Sequence, residues 1–127
     1  MLTTEILKSE PHQQREDSCH GGQGTWFFKN LTEKLSEKLM IQYIHDDILP
    51  PGSFFGDHGH TMRGGADELF EEWYLCLSGS GIMLLDGKEV PFEPGDLNVC
   101  RNGGSHGIFN RSQEDLRFLV ICARGRK

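Results

Sequence analysis

An all-β sandwich or small barrel is the fold class this sequence predicts, and three observations carry that prediction. From Met40 onward the chain breaks into short runs rich in β-branched and aromatic residues. Turn signals punctuate those runs, among them the hairpin dipeptide Asp86-Gly87 and the turn Pro94-Gly95-Asp96. No internal repeat, low-complexity tract or linker divides the chain, so the strands belong to one core. At 127 residues the chain is long enough for one domain and too short for two.

The elements read in order as follows. Residues 1–24 are polar, rich in Gln, Asp and Gly, and end in HGGQG, which reads as an N-terminal arm ahead of a domain spanning 25–127. Trp26, Phe27 and Phe28 read as a short edge strand with the apolar content to pack on a neighbouring subunit. Leu31, Leu35 and Leu39 have helical spacing, but their β-rich surroundings allow a single turn at most. MIQYIHDDIL reads as a strand ending at Pro50-Pro51-Gly52, with Gln42 and Ile44 as cavity-lining residues. SFFGDHGH is a second run, and residues 73–100 supply four short strands. GSHGIFN starts another strand, residues 110–115 form a polar loop, and LRFLVICA closes the chain as a strongly apolar strand.

Charge and hydropathy exclude some partners. Thirteen basic against nineteen acidic residues give a net charge of −6, whereas nucleic acids and anionic membranes select basic surfaces. The longest apolar run, FLVICA, is far short of the roughly 20 residues that span a bilayer. The first residues lack the apolar core of a signal peptide, so a cytoplasmic location is expected. Cys19, Cys76, Cys100 and Cys122 have no close CxxC spacing and point to reduced thiols, with Cys100 and Cys122 in the core. The sequon Asn110-Arg111-Ser112 then reads as a chance match.

The chemistry centres on GDHGH, residues 56–60. On a strand, residues i and i+2 point the same way, so His58 and His60 project from one face and can chelate one divalent ion. By itself that pair is weak evidence, since histidines at this spacing are often ordinary surface groups. Its company strengthens it. Gly52 precedes His58 by five intervening residues, and Glu72 precedes Gly79 by six. Further on, Gly95, Gly103, His106 and Asn110 follow at fixed intervals.

These positions resemble the two motifs of the cupin superfamily, G-X5-HXH-X3,4-E-X6-G and G-X5-P-X-G-X2-H-X3-N, over roughly residues 40–123. The sequence departs from them twice: 11 residues separate His60 from Glu72, and Arg101 stands in the proline position. The resemblance implies a double-stranded β-helix, or jelly roll, holding one metal inside the barrel. Carried over, the ligands are His58, His60, Glu72 and His106. Three imidazoles and one carboxylate suit Fe(II), Mn(II), Ni(II), Co(II) or Zn(II) and leave positions open for water, substrate or dioxygen. Asp67, Glu68 and Glu71 compete with Glu72. Glu72 is favoured by its distance from Gly79, and Glu71 would face the other way on a regular strand.

Other residues carry a functional and a bland reading side by side. The loop 61–71, with Gly64-Gly65 and Arg63, is either a lid over the barrel mouth or a solvated connection. Arg101 is either an anion clamp for substrate or a surface arginine. Tyr74 and Cys76 should follow Glu72 inward, Tyr74 as a proton donor or simply as packing. His12, His20 and His45 have no place in either motif and read as bystanders.

Two function classes compete. One is a mononuclear metalloenzyme, an isomerase, lyase or dioxygenase, acting on a small polar metabolite. The other is a non-catalytic metal-containing cupin that binds a small molecule or sugar. A homodimer is expected in either case, because a barrel this small gains from burying a sheet and the arm against a partner.

Overall fold

In the computed structural model, residues 3–12, 14–59 and 68–126 are described, without the side chains of Gln14, Cys19, Asp57, His58, Glu68 and Arg126. Ten strands run through the described residues, with no α-helix among them. They are β1 (Gln14–Asp17), β2 (Thr25–Asn30), β3 (Ile41–Leu49), β4 (Phe54–Gly59) and β5 (Glu68–Ser78). Then come β6 (Gly81–Leu85), β7 (Lys88–Phe92), β8 (Leu97–Cys100), β9 (Ser105–Phe109) and β10 (Leu116–Arg126). Two antiparallel sheets form, ordered β1-β2-β3-β10-β5-β8 and β4-β9-β6-β7. The fold is thus the expected all-β jelly roll.

Turn chemistry sets the hairpin registers. At Asp86 and Gly87 both residues have positive φ, 48° and 86°, the requirement of a two-residue turn matched to strand twist. Gly103, at φ 93°, turns the chain from β8 into β9 and so delivers His106 to the interior.

The two sheets close over Leu49, Phe55, Tyr74, Met83, Phe92, Ile108, Leu116, Phe118 and Val120, each 4 % exposed or less. Phe118 on the central strand β10 is fully buried, with Phe55, Tyr74 and Phe92 around its ring. Cys76, Cys100 and Cys122 are buried as well.

Three features differ from the expectations above. First, β2 is not an edge strand. The arm contributes β1, which pairs along β2, so Trp26 stacks on Phe28 and meets Phe55 edge-on inside the same chain. Second, the phase of β3 is opposite to the expected one. Tyr43, His45 and Asp47 pair with Cys122, Val120 and Phe118 and share their inward face, which leaves Gln42 and Ile44 off the cavity. The hydrophobic pattern could not decide this, because Ile41, Tyr43 and Leu49 lie on one face and Ile44 and Ile48 on the other. Third, β5 begins at Glu68, so the end of the 61–71 connection is already strand. Residues 61–67, and with them the lid reading and Arg63, lie outside the described residues. The segment after Leu31 makes turns only, with the Leu35 N–H donating to the Thr32 carbonyl at 3.2 Å.

Candidate metal centre

Glu72 and His106 come from opposite sheets and meet in the interior. Glu72 sits on β5 between Cys122 of β10 and Cys100 of β8, with 5 % of its surface exposed. The ladder is regular at this point, so adjacent Glu71 turns outward and Glu72 inward. His106 sits on β9 between His58 of β4 and Leu85 of β6 and is fully buried.

The polar groups are arranged around that pair. His106 Nε2 lies 3.0 Å from Glu72 Oε1, and His106 Nδ1 lies 2.8 Å from Asn98 Oδ1. An amide oxygen only accepts, so Nδ1 carries the hydrogen and donates it to Asn98. A ring protonated on both nitrogens donates to Asn98 and to Glu72 as an ion pair, whereas a ring protonated on Nδ1 alone presents the Nε2 lone pair beside the carboxylate, the form in which the two groups ligate one cation. On Glu72 the second oxygen, Oε2, accepts a hydrogen bond from the Tyr43 hydroxyl. Burial and the nearby Glu72 charge push the Tyr43 phenol far above its ordinary range, so it stays a donor. This donor chemistry fits a divalent ion: one imidazole with its tautomer fixed from behind and one carboxylate oriented by a phenol.

The remaining histidines of the expected set are placed in part. The Cα atoms of His58 and His106 are direct partners across β4 and β9. A bulge produces that pairing: Phe55 pairs with Ile108, and three steps along β4 match two along β9 before His58. Without it Asp57 would stand opposite His106. The side chain of His58 and all of His60 lie outside the described residues. Among the described residues, no three His, Cys, Asp or Glu side chains converge as a metal cluster.

A cavity of about 100 Å³ adjoins Glu72. Its walls include His20, Trp26, Tyr43, His45, Asp47 and Tyr74. The arm reaches this point because β4 carries Gly56, where a Cβ would lie 1.6 Å from the His20 carbonyl oxygen. His45 stacks on Tyr43 at 4.6 Å between ring centroids. Burial lowers its pKa below the ordinary histidine value against an upward pull from Glu72, so the ring is neutral at neutral pH. Asp47 is fully buried. Burial pushes its carboxyl well above the usual range; the Trp26 indole pulls it partly back, and the charges of Asp46 and Glu72 push it further up.

The other candidates fall where the fold sends them. Tyr74 is 3 % exposed, its ring 4.5 Å from His106 and 5.3 Å from Phe118, and it lines the cavity. Cys76 also turns inward but lies beyond the cavity, its thiol pushed up to about 11 by burial and by Asp96 and Glu93. Arg101 is exposed and lines a separate open groove with Phe70, Glu71, Asn102 and Arg124. Asn110 of the second motif is structural: it donates to the Leu49 and Glu114 carbonyls at 2.8 and 2.7 Å and accepts from Ser112. His12 is drawn to the outer face, 3.1 Å from Asp46, which also takes a bidentate contact from Arg117.

Sequence reasoning missed Tyr43, His45, Asp47, Asn98, Trp26 and His20. The odd-numbered run Tyr43, His45, Asp47 ending at Leu49 held a signal for the first three. The roles of Asn98 and His20 depend on which elements fold against β9 and β4, which no local pattern reveals.

Comparison with known proteins is consistent with this architecture. Residues 47–122 match the family model described as a cupin domain. The chain is 32 % identical over 116 residues to an oxalate-binding protein of Thermotoga maritima, covering 91 % of this chain and 90 % of that one. It superimposes on the crystal structure of a predicted oxalate decarboxylase from Thermotoga maritima with a TM-score of 0.76 at 32 % identity, covering 87 % and 90 % of the two chains. A cupin protein from Bacteroides fragilis shares the fold, with a TM-score of 0.70 at 21 % identity over 98 % and 87 % of the chains. With the family model covering more than half of its length and a full-length relative above 30 % identity, the chain belongs to the cupin superfamily.

Proposed function

We propose that this cupin holds one divalent metal ion with His58, His60, Glu72 and His106 and uses it to bind a small carboxylic acid, with oxalate as the leading ligand. One observation supports the metal: the buried Nε2 of His106 and Oε1 of Glu72 converge from opposite sheets to 3.0 Å, a mixed imidazole–carboxylate donor pair that suits a divalent ion. The Cα pairing of His58 with His106 supports its place in the same set. The ligand class is supported by the oxalate-binding relative and by a cavity sized for a few heavy atoms. When bound, the ion supplies a positive charge and a Lewis acid to a ligand oxygen.

The chain's own residues do the rest. Asn98 holds the His106 tautomer, Tyr43 orients the Glu72 carboxylate, and Trp26, Phe55 and Val120 keep the cavity walls apolar on their side. In a catalytic extension of this reading Tyr74, beside His106, is the proton donor, while Arg101 lines a separate open groove. The non-catalytic alternative keeps the same metal and ligand without turnover.

Metal analysis of the purified protein tests the reading. About one equivalent of transition metal is expected, lost in His58→Ala and in His106→Ala. Unchanged metal content in both variants would sink the assignment. Calorimetric titration with oxalate then tests the ligand, and release of formate and carbon dioxide separates an enzyme from a binder.

A further inference from the structure

We infer that Asp47 and Trp26 form a carboxylate-recognising end of the cavity beside Glu72, where the Asp47 carboxyl and the Trp26 indole N–H together take the oxygens of a small organic acid. The inference rests on the preceding reading for the other end of the ligand.

Three buried polar atoms carry it. Asp47 Oδ1, Asp47 Oδ2 and Trp26 Nε1 all lack a hydrogen-bond partner among the described residues. They belong to residues that line one cavity, together with Glu72. Buried polar atoms almost always find partners, so three orphans on two residues that line one cavity mark a place where something else binds. The indole is close enough to act on Asp47, yet no hydrogen bond of ordinary geometry joins them, so neither group satisfies the other.

The chemistry of the guest follows from what the two groups offer. Desolvation, opposed by the Trp26 indole and aided by the Asp46 charge, favours the protonated carboxyl at Asp47, which then donates one hydrogen bond. The Trp26 indole can only donate. Two donors at one end of the cavity select an acceptor-rich group, and hydrogen bonds to a charged oxygen are the stronger kind. The cavity holds about 100 Å³, room for roughly three waters at about 30 Å³ each, a size that matches a two- or three-carbon acid.

The backbone explains why the pair sits there. β2 pairs with β3 so that Phe28 opposes Asp47, and Trp26 lies two residues before Phe28 on the same face. β1 pairs along β2 and extends the sheet beyond it, so β2 is held between two strands.

The test uses the full chain, metal-free and loaded with Mn(II), titrated with oxalate and with acetate. Two readouts are followed: calorimetric affinity and the indole N–H resonances of Trp26 and Trp73, assigned with Trp26→Phe. The Trp26 resonance is expected to move saturably while that of Trp73 stays put. Asp47→Ala is expected to weaken the acid by about ten- to hundredfold, and Trp26→Phe by about tenfold. Asp47→Asn, which keeps a neutral donor of the same shape, is expected to stay within about threefold of the parent. Thermal melting establishes that each variant is folded, and Asp47→Asn serves if Asp47→Ala is not. A Trp26 resonance unmoved by both acids in both forms overturns the inference, as does full affinity in Asp47→Ala. So does an Asp47→Asn variant as weak as Asp47→Ala, which would make the carboxyl a charged group. Bound-metal content is measured in the same samples: failure of Mn(II) uptake strikes the metal reading alone, since the indole shift with acetate is scored without metal.

Discussion

Replacing Asn98 with Ala isolates the fixed tautomer of His106 from the imidazole itself. Asn98 Oδ1 lies 2.8 Å from Nδ1 of a fully buried ring, and the variant leaves that N–H without its acceptor. An orphaned buried donor costs about 1–3 kcal/mol of folding stability. The larger effect falls on the metal. Loss of a partner behind a ligating imidazole weakens binding by about 10–100-fold, or about 1.4–2.7 kcal/mol at about 1.36 kcal/mol per decade. The two costs separate experimentally. Urea unfolding of the metal-free protein reports the first, and competition for Mn(II) or Zn(II) against a chelator reports the second. Asn98→Asp restores an acceptor and should recover metal affinity to within about threefold of the parent or exceed it. If Asn98→Ala lowers stability but leaves metal affinity intact, His106 is a packed core histidine and the tautomer argument is wrong.

Phe118→Ala should cost about 3–5 kcal/mol in urea unfolding, because the fully buried ring is surrounded by Phe55, Tyr74 and Phe92. Arg117→Met should cost about 1–3 kcal/mol, since it strips the bidentate partner from Asp46, whose side chain is only 6 % exposed; a cost below about 0.5 kcal/mol would mean that Lys29 and His12 suffice. Asp47 makes stability fall with pH. Its folded pKa is raised, so above the ordinary carboxylate value the folded state binds a proton that the unfolded state has lost, and stability declines by about 1.4 kcal/mol per pH unit until the folded pKa is passed. Unfolding midpoints of Asp47→Asn from pH 5 upward should lack that decline; parallel profiles would refute a neutral Asp47. Gel filtration should give a dimer of the 14.4 kDa chain, and a single monomeric species would contradict it.

Most of the strand plan was legible because each strand carries its own turn chemistry. Asp86-Gly87, Pro94-Gly95 and Pro50-Pro51-Gly52 announce bends whatever folds around them. The inward direction of Glu72 and the outward one of Glu71 were legible too, since they needed only a regular strand, and the β5–β10 ladder is regular there. β3 was not, because alternation gives two faces without saying which is inside. Two adjacent acids, Asp46 and Asp47, are both buried for different reasons: one meets Arg117 on the outer face, the other enters the cavity. The bulge in β4 was likewise invisible, because it arises where Gly56 lets the His20 carbonyl press against the strand, a contact between segments 36 residues apart. What escaped sequence reading is therefore the set of residues whose role is defined by the opposing layer.

Those same residues decide what the proposed centre can bind. Glu72 brings one negative charge to the interior, and the imidazoles are neutral when they ligate. A divalent ion held by this set would leave a net charge of about one positive unit inside a dry barrel. An ionised Asp47 would cancel that charge and turn the site indifferent to anions. Burial opposes that ionisation and so works to preserve it, and a protonated Asp47 is a donor in place of a competing acceptor. Anion selectivity in this reading thus comes from β3 as much as from the metal motifs. A chain with all four ligands but an apolar residue at Asp47 would keep its ion and lose an anchor for the acid. One with a lysine there would be pressed to expel the ion, because a buried ammonium beside a dication has no compensating charge.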